Sequence, residues 1–585
     1  MANGYFWSRL FSVLLLASLT TFHSFCHSER DDPPEYTFLE QATAAPQIAY
    51  YDYIIVGGGT AGCPLAATLS QNFSVLLLER GGSPYGNANI SSISTFAATL
   101  SDHSPASPSQ SFISEDGVFN NRARVLGGGS CLNAGFYTRA SPEYVKEAGW
   151  EGSLVNRSYE WVEKVVAFRP PVQQWQSAVR DGLLEAGILP YNGFTYDHIY
   201  GTKVGGTIFD EKGHRHTAAD LLQYADPKRL TVLLGATVTR IMFRTKGKAR
   251  PVAHGVMFRD ARGGKHRAYL TRKGSSKNEI ILSAGAIGSP QLLMLSGVGP
   301  ATHLRSLGIN VLLDQPMVGE GMSDNPMNAI FVPSPSPVEI SLIEVVGITK
   351  AGSYIEAAGG SNFATYNSQT NNFGMFSPRT GHISIVPPKQ RTPEAIAKAV
   401  EMESRLDAAA FRGGFILEKI PGPLSTGHLE LRTRNPNDNP SVTFNYFKDP
   451  RDLEACVEGV RVIEKVIESN AFSKFRYPFI QTQTLLNMTL NFPVNLRPRH
   501  DNASSSLEQY CRDTVMTIWH YHGGCHVHRV VDPDHRVLGV DALRIVDGSV
   551  FNFSPGTNPQ ATVMMLGRYM GVKIRNERLG MNGLD

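Results

Sequence analysis

The chain has 585 residues, of which 42% are hydrophobic and 18% are charged, and its formal net charge is +3. This length allows two or more domains or one large composite unit, and the composition is that of a globular protein with a large buried core. A charge this small and dispersed gives no support to nucleic-acid binding or to attachment to a charged membrane surface, and we predict neither.

The first segment of the chain is predicted to direct secretion. Arg9 is followed by an apolar stretch over residues 10–22, then by small residues and by a polar run over 27–35. Because the apolar stretch is shorter than a bilayer span requires, the pattern favours a signal peptide at residues 1–26, cut near Cys26, over a membrane anchor. We therefore expect a secreted, extracellular protein with no stable membrane span.

Cysteines and glycosylation signals agree with a secretory route. Cys456 and Cys511 lie outside the glycine-rich motifs, and we predict a disulfide between them in an oxidising compartment. The cysteines inside glycine-rich motifs are expected to be buried thiols: Cys63, Cys131 and Cys525. Sequons for N-linked glycan occur at Asn72, Asn89, Asn156, Asn487, Asn502 and Asn552. Asn72 leads into a predicted core strand and Asn552 lies near the candidate site, so glycan is expected only at the others.

A strand, loop and helix early in the chain form a predicted dinucleotide-binding motif. Apolar residues 53–56 precede GGGTAG at 57–62, which has the pattern G-x-G-x-x-G. Gly57 permits the tight turn, Gly59 lets the backbone approach a pyrophosphate, and Gly62 lets the following helix pack against the strand. That helix would present free N–H groups to the phosphates.

The second strand, over residues 74–78, ends at Glu79. A carboxylate at this position can accept hydrogen bonds from both ribose hydroxyls of an adenosine, whereas it would repel a 2′-phosphate. The acid therefore favours FAD or NAD and argues against NADP.

Two further stretches favour FAD over NAD. The sequence RARVLGGGSCLNAGFYTR at 122–139 is a second glycine-rich loop, and its Ser130 and Asn133 are polar enough to line an isoalloxazine ring or a ribityl chain. Near the C-terminus, an apolar strand over 543–546 ends in Asp547, which can hold a ribityl hydroxyl or, through water, a phosphate. Either stretch alone could be an ordinary loop, and it is their joint presence that indicates FAD as the cofactor.

These motifs, with two others, make the chain resemble the glucose–methanol–choline (GMC) oxidoreductases over nearly all of residues 50–575. The motifs are GGGTAG at 57–62, RVLGGGSCLNAG at 124–135, GAIGSPQLLMLSGVG at 285–299, and His520 with the region of Asp547, Gly548 and Asn558. Within that family, HYHGGC at 520–525 and NPQATVMMLGRYMG at 558–571 are most similar to the HOTHEAD group of plant proteins, and next to the mandelonitrile (hydroxynitrile) lyases.

The resemblance implies a fold of the α/β class, more fully an α+β composite. It combines a Rossmann-like FAD-binding domain with a substrate domain built on an antiparallel sheet flanked by helices. We assign residues 48–140, 228–330 and 515–578 to the FAD-binding domain, and residues 141–227 and 331–514 to the substrate-binding domain. The stretch 353–391 is rich in Gly, Asn and Ser and poorly periodic, so we predict a loop or lid there.

The resemblance also implies which residues contact FAD. They are Gly57, Gly59, Thr60, Ala61, Gly62, Glu79, Arg80, Val125, Ser130, Asn133, Ala134, Gly135, Phe136, Val238, Trp519, His520, Asp547, Gly548, Pro559 and Gln560.

His520 and Asn558 are the candidate catalytic residues. Oxidation of an alcohol removes a hydroxyl proton and a hydride from the same carbon, and the proton needs a base. Imidazole titrates near working pH, so His520, which the resemblance places beside the flavin, is the candidate base. The Asn558 amide can donate a hydrogen bond to the substrate oxygen or accept one from the hydroxyl. Pro559 suits the start of a helix whose N-terminus would stabilise the reduced flavin.

Histidine and cysteine are dense around the candidate base, as in a zinc or copper site. The residues are His520, His522, Cys525, His526 and His528. If His520 faces the flavin, strand alternation or a tight turn directs the others elsewhere, and we therefore predict no metal.

The resemblance implies an FAD-dependent alcohol dehydrogenase or oxidase. The HOTHEAD group implies long-chain ω-hydroxy fatty acids as substrates, oxidised toward ω-oxo and dicarboxylic acids for cutin and the cuticle, by a secreted monomer at the cell wall. One alternative is a hydroxynitrile lyase, which keeps FAD without net redox chemistry, and another is a flavoprotein without turnover that acts in cell-wall or cuticle adhesion. Many GMC members, the lyases included, have a second histidine where this chain has Asn558, and this difference favours redox chemistry.

Overall fold

The computed structural model describes residues 34–102, 104–271, 277–360, 392–394, 397, 413–490 and 494–581. The predicted signal peptide, residues 1–26, lies outside the described residues, and so do residues 361–391 of the predicted lid.

The strands are β1 Leu39–Gln41, β2 Ile48–Tyr51, β3 Tyr53–Val56, β4 Val75–Leu78, β5 Ser109–Ile113, β6 Phe119–Ala123, β7 Phe136–Tyr137, β8 Tyr191–Phe194, β9 Gly201–Val204, β10 Gly206–Thr207, β11 Leu230–Leu234, β12 Thr237–Arg244, β13 Val252–Arg259, β14 Lys265–Leu270, β15 Glu279–Leu282, β16 Val298–Gly299, β17 Leu313–Asp314, β18 Glu320–Met322, β19 Pro326–Pro333, β20 Val345–Ile348, β21 Tyr354–Gly359, β22 Gly413–Lys419, β23 Gly427–Glu430, β24 Ser441–Thr443, β25 Met516–Thr517 and β26 Leu543–Ile545.

The α-helices are α1 Gly62–Leu69, α2 Ala88–Ser91, α3 Phe96–Ser101, α4 Pro142–Glu147, α5 Gly152–Val166, α6 Gln174–Glu185, α7 Gly285–Leu295, α8 Ala301–Ser306, α9 Pro450–Glu468, α10 Thr482–Leu490, α11 Leu507–Thr514 and α12 Gln560–Leu579.

One large sheet is parallel, with the strand order β1-β11-β4-β3-β15-β26. Its inner strands β3, β4 and β15 are buried along their whole length. Strands covered on both faces are selected for continuous apolar sequence, which is why β3 reads YIIV and β4 reads VLLL without alternation. The sheet joins strands from both ends of the described chain, and so brings their following loops to one edge.

The other large sheet has the order β25-β19-β22-β21-β20-β9-β8, and its pairs are antiparallel except for β8 with β9. Helices α6 and α9 pack on it. The indole of Trp175 in α6 is fully buried and lies against two glycines of the sheet, Gly359 and Gly414. This arrangement confirms the predicted fold class, a Rossmann-like sheet combined with an antiparallel sheet flanked by helices.

The prediction of a loop or lid over 353–391 is wrong for its first residues. Residues of β21 form a fully buried strand in the middle of the antiparallel sheet. The small residues there, which resemble a loop in sequence, make room for Trp175, because a side chain at Gly359 would lie 3.1 Å from its ring.

The cysteine predictions are confirmed. Cys456 of α9 and Cys511 of α11 form a disulfide, with their Cα atoms 6.4 Å apart. Cys63, Cys131 and Cys525 are free and buried. In the part of the chain that the structure describes, we find no helix with both the length and the apolar character needed to cross a bilayer.

Candidate active site

A cavity lies at the carboxyl ends of the inner parallel strands and reaches the antiparallel sheet. In open parallel sheets, this edge is where ligands bind, because the loops after successive strands meet there. All but two of the residues predicted to contact FAD line this cavity, and so do both candidate catalytic residues, His520 and Asn558. The two exceptions are Gly62 and Ser130. The Ser130 hydroxyl is buried, donates to the Gly127 carbonyl oxygen at 2.7 Å and accepts from the Ala218 N–H at 2.9 Å.

The glycine loop between β3 and α1 shows why each glycine is needed. Gly57 has a positive φ of 105°, and a Cβ there would lie 2.4 Å from the Ser283 carbonyl oxygen. A Cβ on Gly62 would lie 2.0 Å from the Gly57 carbonyl oxygen, so Gly62 lets the helix approach the strand. A Cβ on Gly59 would meet only atoms 3.8 Å away and would occupy cavity space beside the N-terminus of α1. The loop is therefore a cradle whose inner surface is backbone.

Glu79, directly after β4, holds the loop and faces the cavity. Its Oε2 accepts from the Gly58 N–H at 3.0 Å, and its Oε1 accepts from the Gly81 N–H at 2.7 Å. Burial raises the pKa of this carboxyl, and the Gly81 N–H and the charge of Arg80 oppose that rise. Each oxygen keeps acceptor capacity, so the carboxylate can bind vicinal hydroxyls of a ribose.

Asp547, two residues after the end of β26, lies at the start of α7. Its Oδ2 accepts from the Gly285 N–H at 2.9 Å and from the Ser289 hydroxyl at 2.5 Å, while its Oδ1 accepts from the Ser549 N–H at 2.8 Å. Burial raises the pKa of the Asp547 carboxyl, and the Ser289 hydroxyl opposes that rise. The carboxyl thus ties β26 to α7 at the point where both line the cavity.

His520 lies between the two large sheets, in a strained segment that several hydrogen bonds hold in place. Trp519, before it, has a positive φ of 58°, which is uncommon outside glycine and marks backbone held by its surroundings. The His520 N–H donates to Asp324 Oδ1 at 3.0 Å, and Tyr446 donates to Asp324 Oδ2 at 2.5 Å. The imidazole is 8% exposed, and its Nδ1 is 3.1 Å from Nδ2 of Asn325.

The imidazole of His520 is neutral at neutral pH. Burial lowers its pKa well below 6.5, and the positive charge of Lys419 and the neighbouring His522 lower it further. Burial raises the pKa of the Asp324 carboxyl, which accepts from the His520 backbone, to about 6. The hydrogen bond from Tyr446 opposes this rise. A neutral imidazole is the form that can act as a base.

Asn558, just before α12, is backed by a buried ion pair. Lys419 Nζ donates to Asn558 Oδ1 at 2.9 Å and lies 2.7 Å from Glu356 Oε1. The Lys419 and Glu356 side chains are 1% and 0% exposed. Burial lowers the pKa of Lys419 to about 8, although the negative charge of Glu356 opposes this shift. Burial also raises the pKa of Glu356, although the positive charge of Lys419 opposes that rise. Lys419 fills one acceptor position of the Asn558 oxygen, and the Asn558 amide also donates to the Glu356 carboxyl. The amide keeps one hydrogen and one lone pair for a ligand, so both predicted roles, donor and acceptor, stay predictions.

The side chains of the histidine-rich segment, residues 520–528, do not point toward one common position. His522 Nδ1 lies 3.0 Å from the His520 carbonyl oxygen, and burial lowers the pKa of His522 and of His526 to about 4. Among the described residues, no group of three or more His, Cys, Asp or Glu side chains is arranged to hold a metal ion.

The part of the cavity wall nearest the antiparallel sheet is apolar. It is formed by buried side chains from several elements: Phe96, Leu132, Met327, Ile343, Leu417 and Ile518. Apolar walls exclude water and favour a hydrocarbon ligand.

Four residues around the site were missed by the sequence analysis: Asp324, Asn325, Glu356 and Lys419. Asn325 and His520 are 195 residues apart in sequence, and Lys419 and Asn558 are 139 apart. Acidic and basic residues within a strand are usually exposed, so nothing in the local sequence indicated a buried pair.

The cavity combines a backbone cradle, a carboxylate that can bind ribose hydroxyls, and a neutral histidine beside an apolar wall. These features together fit FAD and indicate a flavin-dependent oxidoreductase. The chain belongs to the GMC oxidoreductase family, whose two models match residues 51–327 and 423–567. The protein is therefore an FAD-dependent GMC oxidoreductase, as the motifs predicted.

The chain is similar to named plant proteins over almost its whole length. It is 53% identical to Protein HOTHEAD of Arabidopsis thaliana, over 98% of this chain and 99% of that protein. It is 47% identical to an (R)-mandelonitrile lyase-like protein of Arabidopsis thaliana, over 94% of each, and 42% identical to Sinalpyl alcohol oxidase Nec3 of Nesocodon mauritianus, over 100% of each. The structure of formate oxidase from Aspergillus oryzae has the same fold, with a TM-score of 0.69 at 19% identity over 92% of this chain and 100% of that one.

Replacing Glu79 by alanine should weaken FAD retention by about 10–100-fold, because hydrogen bonds to a charged group contribute about 1.5–3 kcal/mol. The ratio of flavin to protein absorbance in purified protein measures this loss. Glu115→Ala, which removes a carboxylate that does not line the cavity, should leave the ratio unchanged. A full flavin complement in Glu79→Ala would contradict the assigned role.

Proposed function

We propose that the protein oxidises the terminal hydroxyl of a long-chain ω-hydroxy fatty acid, giving the ω-oxo acid and then the dicarboxylic acid used in cutin and the cuticle. The observation that supports this proposal is the apolar wall beside His520 and Asn558. A hydrocarbon chain can lie along that wall with its hydroxyl at the two polar residues. The hydrated ω-oxo group again carries a hydroxyl and a hydrogen on one carbon, so the same site can act twice.

The reaction follows from the roles of the two side chains. His520, neutral at neutral pH, takes the hydroxyl proton at the nitrogen that faces the cavity. Asn558 donates its remaining amide hydrogen to the substrate oxygen as negative charge develops there, while Lys419 and Glu356 fix the orientation of the amide. Bound FAD supplies the hydride acceptor. The apolar wall keeps water from the oxygen, which strengthens both hydrogen bonds.

FAD is proposed to lie along the cavity between the glycine loop and His520, held by the predicted residues that line it. We propose that the FAD-binding domain consists of residues 48–140, 228–330 and 515–578, and that the substrate-binding domain consists of residues 141–227 and 331–514. We further propose that the protein is made with a cleaved signal peptide, carries N-linked glycan and works as a monomer at the cell wall. The disulfide between Cys456 and Cys511 supports passage through an oxidising compartment.

A hydroxynitrile lyase is the second candidate, favoured by the identity to an (R)-mandelonitrile lyase-like protein. Such a reaction needs a base on the cyanohydrin hydroxyl and positive potential for the departing cyanide. Asn558, an uncharged donor, serves this less well than a second histidine.

Anaerobic titration of the purified flavoprotein with alcohols tests the proposal. We expect ω-hydroxy fatty acids to bleach the flavin absorbance, and long chains to do so at lower concentration than short ones, because each buried CH₂ contributes about 0.8 kcal/mol. The matching fatty acid without the ω-hydroxyl is the control and should leave the absorbance unchanged. Release of cyanide from mandelonitrile, with no bleaching by any alcohol, would instead establish the lyase.

A further inference from the structure

The imidazole of His520 is contacted on its Nδ1 side by the amide of Asn325. Nδ1 and Nδ2 are 3.1 Å apart. An amide nitrogen carries hydrogens and offers no lone pair, so Nδ1 accepts this bond, and a neutral ring must then carry its proton on Nε2. Nε2 is the nitrogen left to meet a ligand, since His520 lines the cavity.

The orientation of the Asn325 amide is set by its other partners. The Gly422 N–H donates to Asn325 Oδ1 at 3.2 Å, which places the oxygen away from His520. Nδ2 also donates to the Ser554 hydroxyl at 3.3 Å, and that hydroxyl in turn donates to the Gly556 carbonyl oxygen at 2.8 Å. Donors and acceptors match throughout this chain of bonds.

In this arrangement, the site offers two donors to a substrate oxygen: Nε2–H of His520 and the amide hydrogen of Asn558 that is not bonded to Glu356. Two donors suit a carbonyl oxygen, which is the product of alcohol oxidation. An alcohol needs an acceptor for its proton, and a ring protonated on Nε2 does not provide one.

We propose that Asn325 is a positioning residue whose amide, by donating to Nδ1, holds the ligand-free ring of His520 in the tautomer protonated on Nε2. Before the ring can accept the alcohol proton, it releases the Nε2 proton to solvent and takes up a solvent proton on Nδ1, which breaks the hydrogen bond from Asn325 and exposes the Nε2 lone pair to the alcohol. The alcohol O–H bond then breaks and an Nε2–H bond forms, which leaves a ring protonated on both nitrogens. Loss of the Nδ1 proton to solvent restores the neutral ring and its hydrogen bond from Asn325. This inference rests on the proposed function.

The other charged and titratable groups near His520 do not determine which ring nitrogen carries the proton, so the tautomer depends on Asn325. Asp324 accepts from the backbone N–H of His520, and Lys419 lowers the pKa of the ring without selecting a nitrogen. His522 faces the His520 carbonyl oxygen through its Nδ1.

Nitrogen-15 NMR of the flavin-loaded wild-type protein, labelled at histidine, tests the tautomer directly. His520→Ala identifies the resonances by their loss. We expect the ligand-free protein to have Nε2 protonated and Nδ1 unprotonated. A ring protonated on Nδ1 in the ligand-free protein would overturn the inference, even if the protein oxidises alcohols. Failure to oxidise any alcohol would overturn the proposed function and leave the tautomer result standing.

Asn325→Asp tests the consequence for proton transfer. A carboxylate only accepts, so it holds the proton on Nδ1 and raises the pKa of His520 by about 1–3 units. We expect flavin reduction by the alcohol to be several-fold faster than wild type at alkaline pH, and to decline on acidification at a pH about 1–3 units higher. Asn325→Leu, which can neither donate nor accept, should show neither change. A pH profile of Asn325→Asp identical to wild type would refute the role, and if that variant fails to bind FAD, the NMR measurement on the wild-type protein decides.

Discussion

Replacing His520 by alanine should slow reduction of bound FAD by an alcohol by about 10²–10⁴-fold, the range that a general base contributes. Asn558, the other candidate catalytic residue, cannot replace the imidazole, because a carboxamide is not basic enough to take the alcohol proton. Stopped-flow measurement of flavin bleaching under anaerobic conditions gives the rate constant. The loss should persist at saturating alcohol, since the change affects proton transfer more than binding.

His214→Ala is the matched control for this variant. Its side chain is 54% exposed and does not line the cavity, so its removal should leave the rate constant unchanged. The His520→Ala protein should still contain flavin, because Glu79 and the glycine loop hold the other end of the cavity. Unchanged reduction kinetics in flavin-loaded His520→Ala would remove this imidazole from the mechanism.

Replacing Lys419 by methionine should lower the free energy of unfolding by about 3–5 kcal/mol, the usual cost of removing one partner of a buried ion pair. Methionine fills similar space but leaves the Glu356 carboxylate buried without its counter-charge. A lone buried carboxyl has a folded-state pKa above its unfolded-state value. Its protonated form is the one that the folded protein accommodates, so folding stability is highest at low pH and falls as the pH rises through the folded-state pKa. The deficit should therefore be larger at alkaline than at acidic pH, as denaturant unfolding at the two pH values would show.

The double variant Lys419→Met/Glu356→Gln separates charge from packing. With both charges removed, it should recover much of the stability lost by Lys419→Met, because no unpaired charge remains. Arg461→Met, at an exposed pair with Glu458, should cause no measurable change. A loss in the double variant as large as in the single one would show that packing, not charge, determines the stability of this position.

The parts of the site that could be predicted from sequence are those that lie within one short motif. The turn at Gly57, the acid Glu79 and the acid Asp547 each follow directly from a strand whose apolar run is visible in the sequence. A parallel sheet then brings them together without further information, because successive strands end at one edge.

The parts that could not be predicted depend on contacts between distant residues. Nothing near Asn325 in sequence shows that its amide meets His520, and Glu356 lies in a stretch whose small residues resemble a loop. That stretch is a buried strand because Trp175 of α6 covers it, and this contact joins residues that are far apart in the chain. Tertiary packing, and not local propensity, determined both outcomes.

The position of β26 in the parallel sheet has a consequence for biosynthesis. This strand is the last of the sheet to leave the ribosome, and Asp547 lies two residues after its end. Until it pairs with β15, the growing chain lacks the part of the cavity wall formed by Asp547 and Gly548. The binding cavity for the vitamin-derived coenzyme is therefore complete only after translation of nearly the entire polypeptide, and we expect a product truncated before β26 to be colourless.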